Sequence, residues 1–279
     1  MILYNENNPY ASKWLRALSE AGHIAHGKVD DRSISKITSG DIAADVTQFH
    51  AFAGIGAWSF ALRLAGWPDD VPVWTGSCPC TPFSVSGQRK GAADARHLWP
   101  AWFALISKCR PPVIFGEQVV SPLGRLWFDA VSADLETLGY AVGASDLCAA
   151  SVGAPHIRQR LFFVARLGDS KRERISHEGS GRADSSQAEM QEAGQRQWLW
   201  PDIGQPDNAL PDFWEDCEWI DCSDGKRRPF KPGVRPLADG PSRRVGRVRG
   251  DRAGRMRGYG NAIVPQVAAV FIRAFLESM

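Results

Sequence analysis

The sequence predicts an α/β fold, an open sheet with helices on both faces, followed by a small irregular region. Short apolar runs alternate with segments of helical spacing, from Ile2 to Phe275 near the C-terminus. Gly54 and Gly56 stand between a predicted strand and a predicted helix, and the acidic Glu117 directly follows another apolar run. Such junctions are typical of open α/β sheets, in which ligands bind at the carboxyl ends of the strands. With 279 residues, the chain can form one large domain and a small one.

The first third of the chain predicts three strands and two helices. Residues 2–4 form an apolar run that ends in an acidic turn with Glu6. Residues 9–22 then have helical spacing, with proline in the first turn and Gly22 at the end. The next expected elements are a strand within 26–34, a strand over 46–52 and a helix over 58–66.

The rest of the chain continues the alternation and then changes composition. The expected strands are 71–74, 113–115, 140–142 and 161–165, and the expected helices are 97–109, 126–138 and 265–275. From residue 168 to about 197, Ser, Gly, Glu, Gln and Arg replace apolar residues, and 198–219 is rich in Pro and Trp. This composition predicts a loop or an irregular insertion.

Composition also limits the partners and the compartment. The formal net charge of +2 gives no global basic character. The six cysteines form neither a disulfide framework nor a C-x-x-C zinc pair. No apolar run approaches the roughly 20 residues of a membrane span, and the N-terminus lacks a signal-peptide pattern. We therefore expect a cytosolic monomer without a membrane or metal partner.

Positive charge is concentrated near the C-terminus. Between positions 243 and 257, with Asp251 as the one acid, stand the arginines Arg243, Arg244, Arg247, Arg249, Arg252, Arg255 and Arg257. A solvated face is the simplest alternative. We interpret this arginine-rich segment as a contact for phosphate groups.

The segment around Cys80 carries the strongest chemical signal. It follows the apolar run 71–74, and Pro79 and Pro82 fix the backbone on both sides of the cysteine. A thiol on a stiff loop at the carboxyl end of a strand can act as a nucleophile if it is present as thiolate. The alternative is a small buried cysteine in a proline turn.

This loop resembles the nucleophile loop of the cytosine-C5 DNA methyltransferases, in which Pro-Cys-Gln-Pro-Phe-Ser precedes a glycine. Thr81 stands where that family has glutamine. The matching residues are Pro79, Cys80, Pro82, Phe83, Ser84 and Gly87.

Four other segments resemble elements of the same family. Residues 52–56, Phe-Ala-Gly-Ile-Gly, match its cofactor loop. Residues 116–119, Gly-Glu-Gln-Val, match its Glu-Asn-Val element with glutamine in place of asparagine. Residues 156–160 match Gln-x-Arg-x-Arg with His156 in place of the glutamine. Residues 260–268 match the closing Gly-Asn-Ala-x-x-Pro-x-x-Ala element.

The resemblance implies a Rossmann-like, S-adenosylmethionine-dependent methyltransferase sheet and methylation of a flipped cytosine at C5 in double-stranded DNA. It also implies the cytoplasm of a bacterial or phage-infected cell. The implied catalytic residues are Cys80, Glu117, Arg158 and Arg160. The implied cofactor-binding residues are Glu6, Asn7, Asp30, Asp31, Phe52, Ala53, Gly54, Ile55, Gly56, Cys78, Leu98, Asn261 and Ala262. The implied DNA contacts are Thr81, Ser84, Arg243, Arg244, Arg247 and Arg249.

The same resemblance divides the chain into three parts. Residues 1–167 are expected to form the catalytic and cofactor-binding domain. Residues 168–240 occupy the place of the target-recognition region, and residues 241–279 comprise the basic segment and a helix that returns to the catalytic domain.

The order of the elements departs from the family. Only 24 positions separate Gly56 from Cys80, which leaves room for one helix and one strand. Family members have two further strand units there, with a glutamate for the cofactor ribose and an aspartate near the adenine. We expect these units at the N-terminus instead, so that the sheet is the same and the strand order along the chain is permuted.

The N-terminal residues fit these roles in part. Glu6 matches the ribose acid, and Asp30 or Asp31 the acid near the adenine, while Asn7 replaces an apolar or aromatic adenine platform. A helix that joins the Gly-loop strand directly to the Cys80 strand is also subject to the right-handed crossover rule. That rule could move this helix to the opposite face from usual, and both faces stay open at this point.

Three alternatives to DNA methylation also stay open. The first is the same chemistry on tRNA, and the second is the addition of a different one-carbon unit to cytosine. The third is DNA binding without turnover, which Thr81 and His156 favour because both depart from the family pattern near the reaction centre.

Overall fold

The computed structural model describes residues 1–79, 98–154, 156–168, 218–221, 227–230 and 258–279. The strands are β1 (Ile2–Asn5), β2 (Gly27–Asp30), β3 (Gln48–Ala51), β4 (Val73–Gly76), β5 (Val113–Val119), β6 (Tyr140–Cys148), β7 (Gln159–Leu167), β8 (Glu218–Asp221) and β9 (Arg227–Phe230). The α-helices are α1 (Pro9–Glu20), α2 (Ala57–Leu64), α3 (Trp99–Cys109), α4 (Pro122–Thr137) and α5 (Pro265–Glu277).

The first seven strands form one sheet in the order β2-β1-β3-β4-β5-β7-β6. Strands β1 to β5 are parallel to one another, whereas β7 runs antiparallel to both β5 and β6. The N-terminal strands β1 and β2 therefore lie beside the Gly-loop strand β3, on the side away from β4. The predicted permutation is confirmed, as is the predicted α/β class with a sheet of the Rossmann-like methyltransferase type.

Each face of the sheet carries its own core, because successive side chains of a strand point to opposite faces. On the front face, defined by Val113, Phe115 and Phe162, the sheet packs under α2 and α5. On the back face, defined by Ile114, Phe163 and Trp74, it packs under α3 and α4. The back core contains a cluster of edge-to-face tryptophans, Trp99, Trp102 and Trp127.

Helix α2 lies on the front face together with α1. The Tyr4 hydroxyl on β1 lies 2.9 Å from the Ser59 hydroxyl on α2. Leu15 of α1 packs in the same front cluster as Tyr4. At Gly56, directly before α2, a Cβ atom would lie 3.1 Å from Leu15 and 2.8 Å from Ile24. The start of α2 is thus packed tightly against Leu15 of α1 and against Ile24, which follows α1 in the chain.

This placement gives one crossover an unusual hand. The connections β3-α2-β4 and β4-α3-β5 move in the same direction across the sheet but on opposite faces, so they have opposite hands. The connection β1-α1-β2 moves the other way on the front face and therefore shares the hand of β4-α3-β5. Because such connections are right-handed in about 98% of cases, β3-α2-β4 is the left-handed exception. The Gly-loop helix α2 therefore lies on the front face, not on the back face that the crossover rule favours.

Several predicted boundaries are wrong for local reasons. Strand β5 continues to Val119, so Glu117 lies within the strand rather than after it. Strand β6 runs six residues beyond its predicted end at 142, because all nine of its residues pair with β7. Helix α4 begins at Pro122, with the Ser121 hydroxyl accepting a hydrogen bond from Gly124 N–H. Serine before proline is a helix-start signal that the expected start at residue 126 overlooked.

The region predicted to be irregular contains a regular pair of strands. Strands β8 and β9 form a separate antiparallel two-stranded sheet, with Glu218 opposite Phe230. Most of 168–240 lies outside the described residues.

The C-terminal helix packs on the front face beside α2. By length and composition alone, Gly258–Glu277 could cross a membrane, with a mean hydropathy of 1.3, and it is the one such helix in the described part of the chain. However, Val267, Ala268 and Ile272 are fully buried in the front core. An apolar helix with one face buried in this way is typical of a core helix.

A buried polar chain joins the central strands on the front face. The His50 ring stacks on Tyr4, with ring centroids 4.9 Å apart. Its Nδ1 lies 2.8 Å from the Thr75 hydroxyl and its Nε2 lies 3.3 Å from Gln48 Oε1. Complete burial lowers the pKa of His50 to about 3, so the ring is neutral in the folded protein.

We expect His50 to make the protein less stable at mildly acidic pH. Its folded pKa is below its unfolded value of about 6.5, so its stabilising contribution is complete above that pH and is lost as the pH falls towards 3. From this group alone, the free energy of unfolding should fall by about 1.4 kcal/mol in total between pH 7.5 and pH 5.5.

Urea unfolding at pH 7.5 and 5.5 measures this slope. His50→Gln should lose that part of the pH dependence, whereas His26→Gln, at an exposed position, should keep it. Equal slopes for the wild type and His50→Gln would refute the assignment.

Candidate active site

A buried ion pair lies near the carboxyl end of β5. Arg160 Nε on β7 is 2.7 Å from Glu117 Oε1 on β5. In the antiparallel register Glu117 faces Phe162 and Arg160 faces Val119, so the two charged residues are diagonal neighbours on the front face. Glu117 is 7% exposed. The predicted catalytic residues Glu117 and Arg160 are therefore brought into direct contact.

Burial dominates the electrostatics of Glu117. Removal of its carboxyl group from water raises its pKa, and Arg160, a hydrogen bond from Ser77 and the charge of Arg158 only partly oppose this. The carboxyl group therefore holds a proton to higher pH than an ordinary glutamate. This is the property that a proton donor to a substrate ring needs near neutral pH.

Two residues that the sequence analysis did not assign link this ion pair to the Cys80 loop. The Ser77 hydroxyl interacts with Glu117 and accepts a hydrogen bond from Trp58 Nε1 at 3.1 Å. The Gln118 side chain donates to the carbonyl oxygen of Cys78 at 3.2 Å. Ser77 and Gln118 thus fix the last described turn before Cys80. Gln118 belongs to the matched segment 116–119 and Ser77 stands two positions before Pro79, and these positions were the available signal.

The predicted nucleophile, Cys80, lies outside the described residues, which end at Pro79 on this side. The predicted Cys80, Thr81 and Ser84 therefore stay predictions. The same holds for the predicted DNA-contacting arginines Arg243, Arg244, Arg247 and Arg249.

The Gly loop and the acidic turn meet as predicted. Glu6 Oε2 accepts a hydrogen bond from Gly54 N–H, and Glu6 Oε1 accepts one from Asn8 N–H, both at 2.8 Å. The carbonyl of Asn5 accepts from Ala53 N–H at 2.9 Å. Burial raises the pKa of Glu6, opposed by these two backbone donors. The N-terminal strand and the Gly loop thus form one continuous site.

The Gly loop has the backbone that close approach to a ligand requires. Gly54 and Gly56 have φ of 56° and 80°, and Phe52 is a non-glycine residue at φ 51°. A Cβ atom at Gly54 would meet no atom within 4 Å, so this part of the loop borders open space. Gly56 precedes α2 without a side-chain cap, which leaves helix N–H groups available.

The predicted adenine-side residues differ in position. Asp30 ends β2 beside Glu6, whose N–H donates to the Asp30 carbonyl at 3.0 Å. Both Asp30 carboxylate oxygens bind Arg32, which holds the pKa of Asp30 below its usual range. Asp31 instead forms an exposed ion pair with Arg16 on α1, and Asn7 is exposed. Asp30 is therefore the better placed of the two acids.

Other predicted cofactor residues have packing contacts. The Phe52 ring meets Trp102 edge-on, with centroids 5.8 Å apart. Cys78 is buried in the back core, and Leu98 packs against that core directly before α3. Ile55 and Ala262 line a groove described next.

A groove of about 980 Å³ connects the predicted cofactor and catalytic residues. Ile55 and Gly56 of the Gly loop lie along it, and so do Arg158, Arg160 and Ala262. The predicted cofactor-binding residues and the predicted catalytic arginines therefore line the same groove. Within the described residues, no group of three or more His, Cys, Asp or Glu residues could hold a metal ion.

The chain is similar to known DNA methyltransferases. Residues 50–202 match the family described as C-5 cytosine-specific DNA methylase. The Type II methyltransferase M.AplI of Arthrospira platensis is 36% identical over 104 residues, which cover 37% of this chain and 29% of that protein. The Type II methyltransferase M.AluI of Cellulosimicrobium cellulans is 29% identical over 170 residues, which cover 56% and 30%. The matched segments thus span less than a third of either relative.

Among solved structures, the Dnmt2 methyltransferase of S. pombe aligns over 99% of this chain and 98% of its own, with 14% identity and a TM-score of 0.48. The fold class rests on the strand order itself rather than on this superposition. The family match covers more than half of the 279 residues. The chain belongs to the C-5 cytosine-specific DNA methylase family.

Proposed function

We propose that the protein transfers a methyl group from S-adenosylmethionine to C5 of cytosine in double-stranded DNA. The observation that carries the proposal is the buried Glu117–Arg160 pair, linked through Ser77 and Gln118 to the turn that leads into Cys80. Family membership supports the reaction type, and the Type II methyltransferases among the relatives support DNA as the substrate.

The residues at the Gly loop fit S-adenosylmethionine. The open space at Gly54 and the uncapped start of α2 suit a ligand that approaches the backbone closely. Each Glu6 carboxylate oxygen accepts one backbone N–H and retains a lone pair that can accept from a ribose hydroxyl. When bound, S-adenosylmethionine supplies an electrophilic methyl group on its sulfonium.

The chain's own residues would activate the base. The Cys80 thiolate attacks C6 of cytosine, and the electron density gained at C5 makes that carbon nucleophilic. Glu117 stabilises the ring by holding a proton at N3, and Arg160 binds O2 while fixing the carboxyl group. After methyl transfer, a proton acceptor removes the C5 proton while the bond between C6 and sulfur breaks and releases Cys80 as the thiolate. The proton at N3 returns to Glu117.

The target base must leave the helix for this chemistry, at a cost of a few kcal/mol. The arginine-rich segment 243–257 supplies positive charge for phosphate contacts that offset this cost. Affinity falls as the salt concentration rises, and each phosphate contact should make the slope of log affinity against log salt concentration steeper by about 0.9.

Replacing the nucleophile should abolish methylation. In cells that express the wild type, bisulfite sequencing should find protected cytosines in one sequence context, and Cys80→Ser should remove the protection. Cys109→Ser, at the end of α3 away from the site, is the matched control and should stay active.

Three results would contradict this assignment. The first is full protection by Cys80→Ser. The second is methyl incorporation into tRNA but not into duplex DNA, and the third is a product base that carries another one-carbon group.

The raised pKa of Glu117 predicts a specific pH dependence. The carboxyl group must be protonated to support N3, so the wild-type rate should fall as the pH rises through the elevated Glu117 pKa. Glu117→Gln should lower kcat by about 10²–10⁴-fold and remove this alkaline decline. Single-turnover rates across pH measure both effects. Asp146→Asn, which breaks the exposed ion pair with Arg125, should change neither, and an unchanged pH profile in Glu117→Gln would contradict the role.

The contact between Glu6 and the Gly loop predicts a large effect on cofactor affinity. Glu6→Ala removes a buried charged acceptor, so the Kd of S-adenosylmethionine should rise by at least about tenfold. Isothermal titration calorimetry measures this change, and Glu20→Ala at the exposed end of α1 is the control. An unchanged Kd in Glu6→Ala would remove this residue from the cofactor site.

A further inference from the structure

Arg158 is hydrogen-bonded to a distant part of the chain. Its Nη2 donates to the carbonyl oxygens of Gly260 at 3.0 Å and Ala262 at 2.7 Å. These two carbonyls flank Asn261, so one guanidinium nitrogen holds the backbone on both sides of that residue. The contacts join positions 102 and 104 residues apart in sequence.

The same C-terminal segment also contacts α1 and the Gly loop. A Cβ atom at Gly258 would lie 3.0 Å from the Trp14 ring and 3.2 Å from Ile55 Cγ2. The Trp14 and Tyr259 rings meet edge-on, with centroids 5.2 Å apart. Gly258 therefore lies between α1 and the Gly loop, and Arg158 binds the backbone that follows it.

Arg158 and Arg160 thus have different partners although they stand two positions apart. Arg160 is paired with the Glu117 carboxylate. Arg158 also acts on Glu117 through its charge, but its hydrogen bonds go to the C-terminal carbonyls. Both arginines are implied catalytic residues, but their hydrogen-bond partners differ.

We infer that Arg158 is a positioning residue, which fixes the backbone on both sides of Asn261 beside the Gly loop. The inference rests on the proposed function only for the identity of the cofactor. Loss of Arg158 should release the segment that carries Asn261 and weaken cofactor binding, before any effect on chemistry.

Hydrogen exchange without cofactor tests the structural half of this inference. Arg158→Gln should increase amide exchange in residues 258–264 by about tenfold or more, while exchange in the core strands β3 and β4 stays unchanged. Arg158→Lys, which keeps a charged donor, should restore part of the protection. Because no cofactor is present, this result is independent of the proposed reaction.

A double-mutant cycle tests the coupling to Asn261. Arg158→Gln and Asn261→Ala should each raise the Kd of S-adenosylmethionine, measured by calorimetry, by about tenfold. If Arg158 acts through Asn261, adding Arg158→Gln to Asn261→Ala should raise the Kd less than about twofold further. Arg125→Gln, which breaks the exposed ion pair with Asp146, is the control and should leave the Kd unchanged.

Two outcomes would overturn the inference. One is unchanged exchange and unchanged Kd in Arg158→Gln with loss of turnover, which would place Arg158 at the target base. The other is an additive cycle, which would separate Arg158 from Asn261. A wild type that binds no S-adenosylmethionine would instead refute the proposed function, and the exchange result would still decide the role of Arg158.

Discussion

The antiparallel pairing of β5 with β7 is the constraint on which the site depends. It places Glu117 and Arg160 diagonally on one face, and burial raises the pKa of the glutamate. The register leaves no freedom at Gly116, because a Cβ there would lie 2.1 Å from the Phe163 ring on the back face. Packing against Phe163 thus requires a glycine immediately before Glu117.

The rest of the site shows that position in space matters more than order along the chain. The turn with Glu6 precedes the Gly loop in sequence, yet a hydrogen bond to Gly54 joins the two. Helix α2 lies on the front face, so its connection to β4 has the less common left hand. This connection departs from the usual right-handed crossover, and Gly56 at the start of α2 packs against Leu15 and Ile24 on the front face.

Much of this arrangement could be predicted from sequence, because motifs and short apolar runs fix which residues end each strand. The spacing between Gly56 and Cys80, compared with the order of elements in the family, predicted the permuted order. The full length of β5 and β6 was not, since Gly-Glu-Gln and Gly-Ala-Ser-Asp have low strand propensity and extend only because β7 pairs with them. The partners of Arg158 could not be predicted either, because contacts over 100 residues leave no local pattern.

The central claim is that the sulfur of residue 80 and the carboxyl group of residue 117 act on the same pyrimidine. A crystal structure with S-adenosylmethionine and duplex DNA containing 5-fluorocytosine tests it most directly, because the fluorine blocks release of the base. The account predicts a bond between Cys80 Sγ and C6 and a Glu117 oxygen about 3 Å from N3. An unmodified base, or a base whose ring lies away from Glu117, would contradict it.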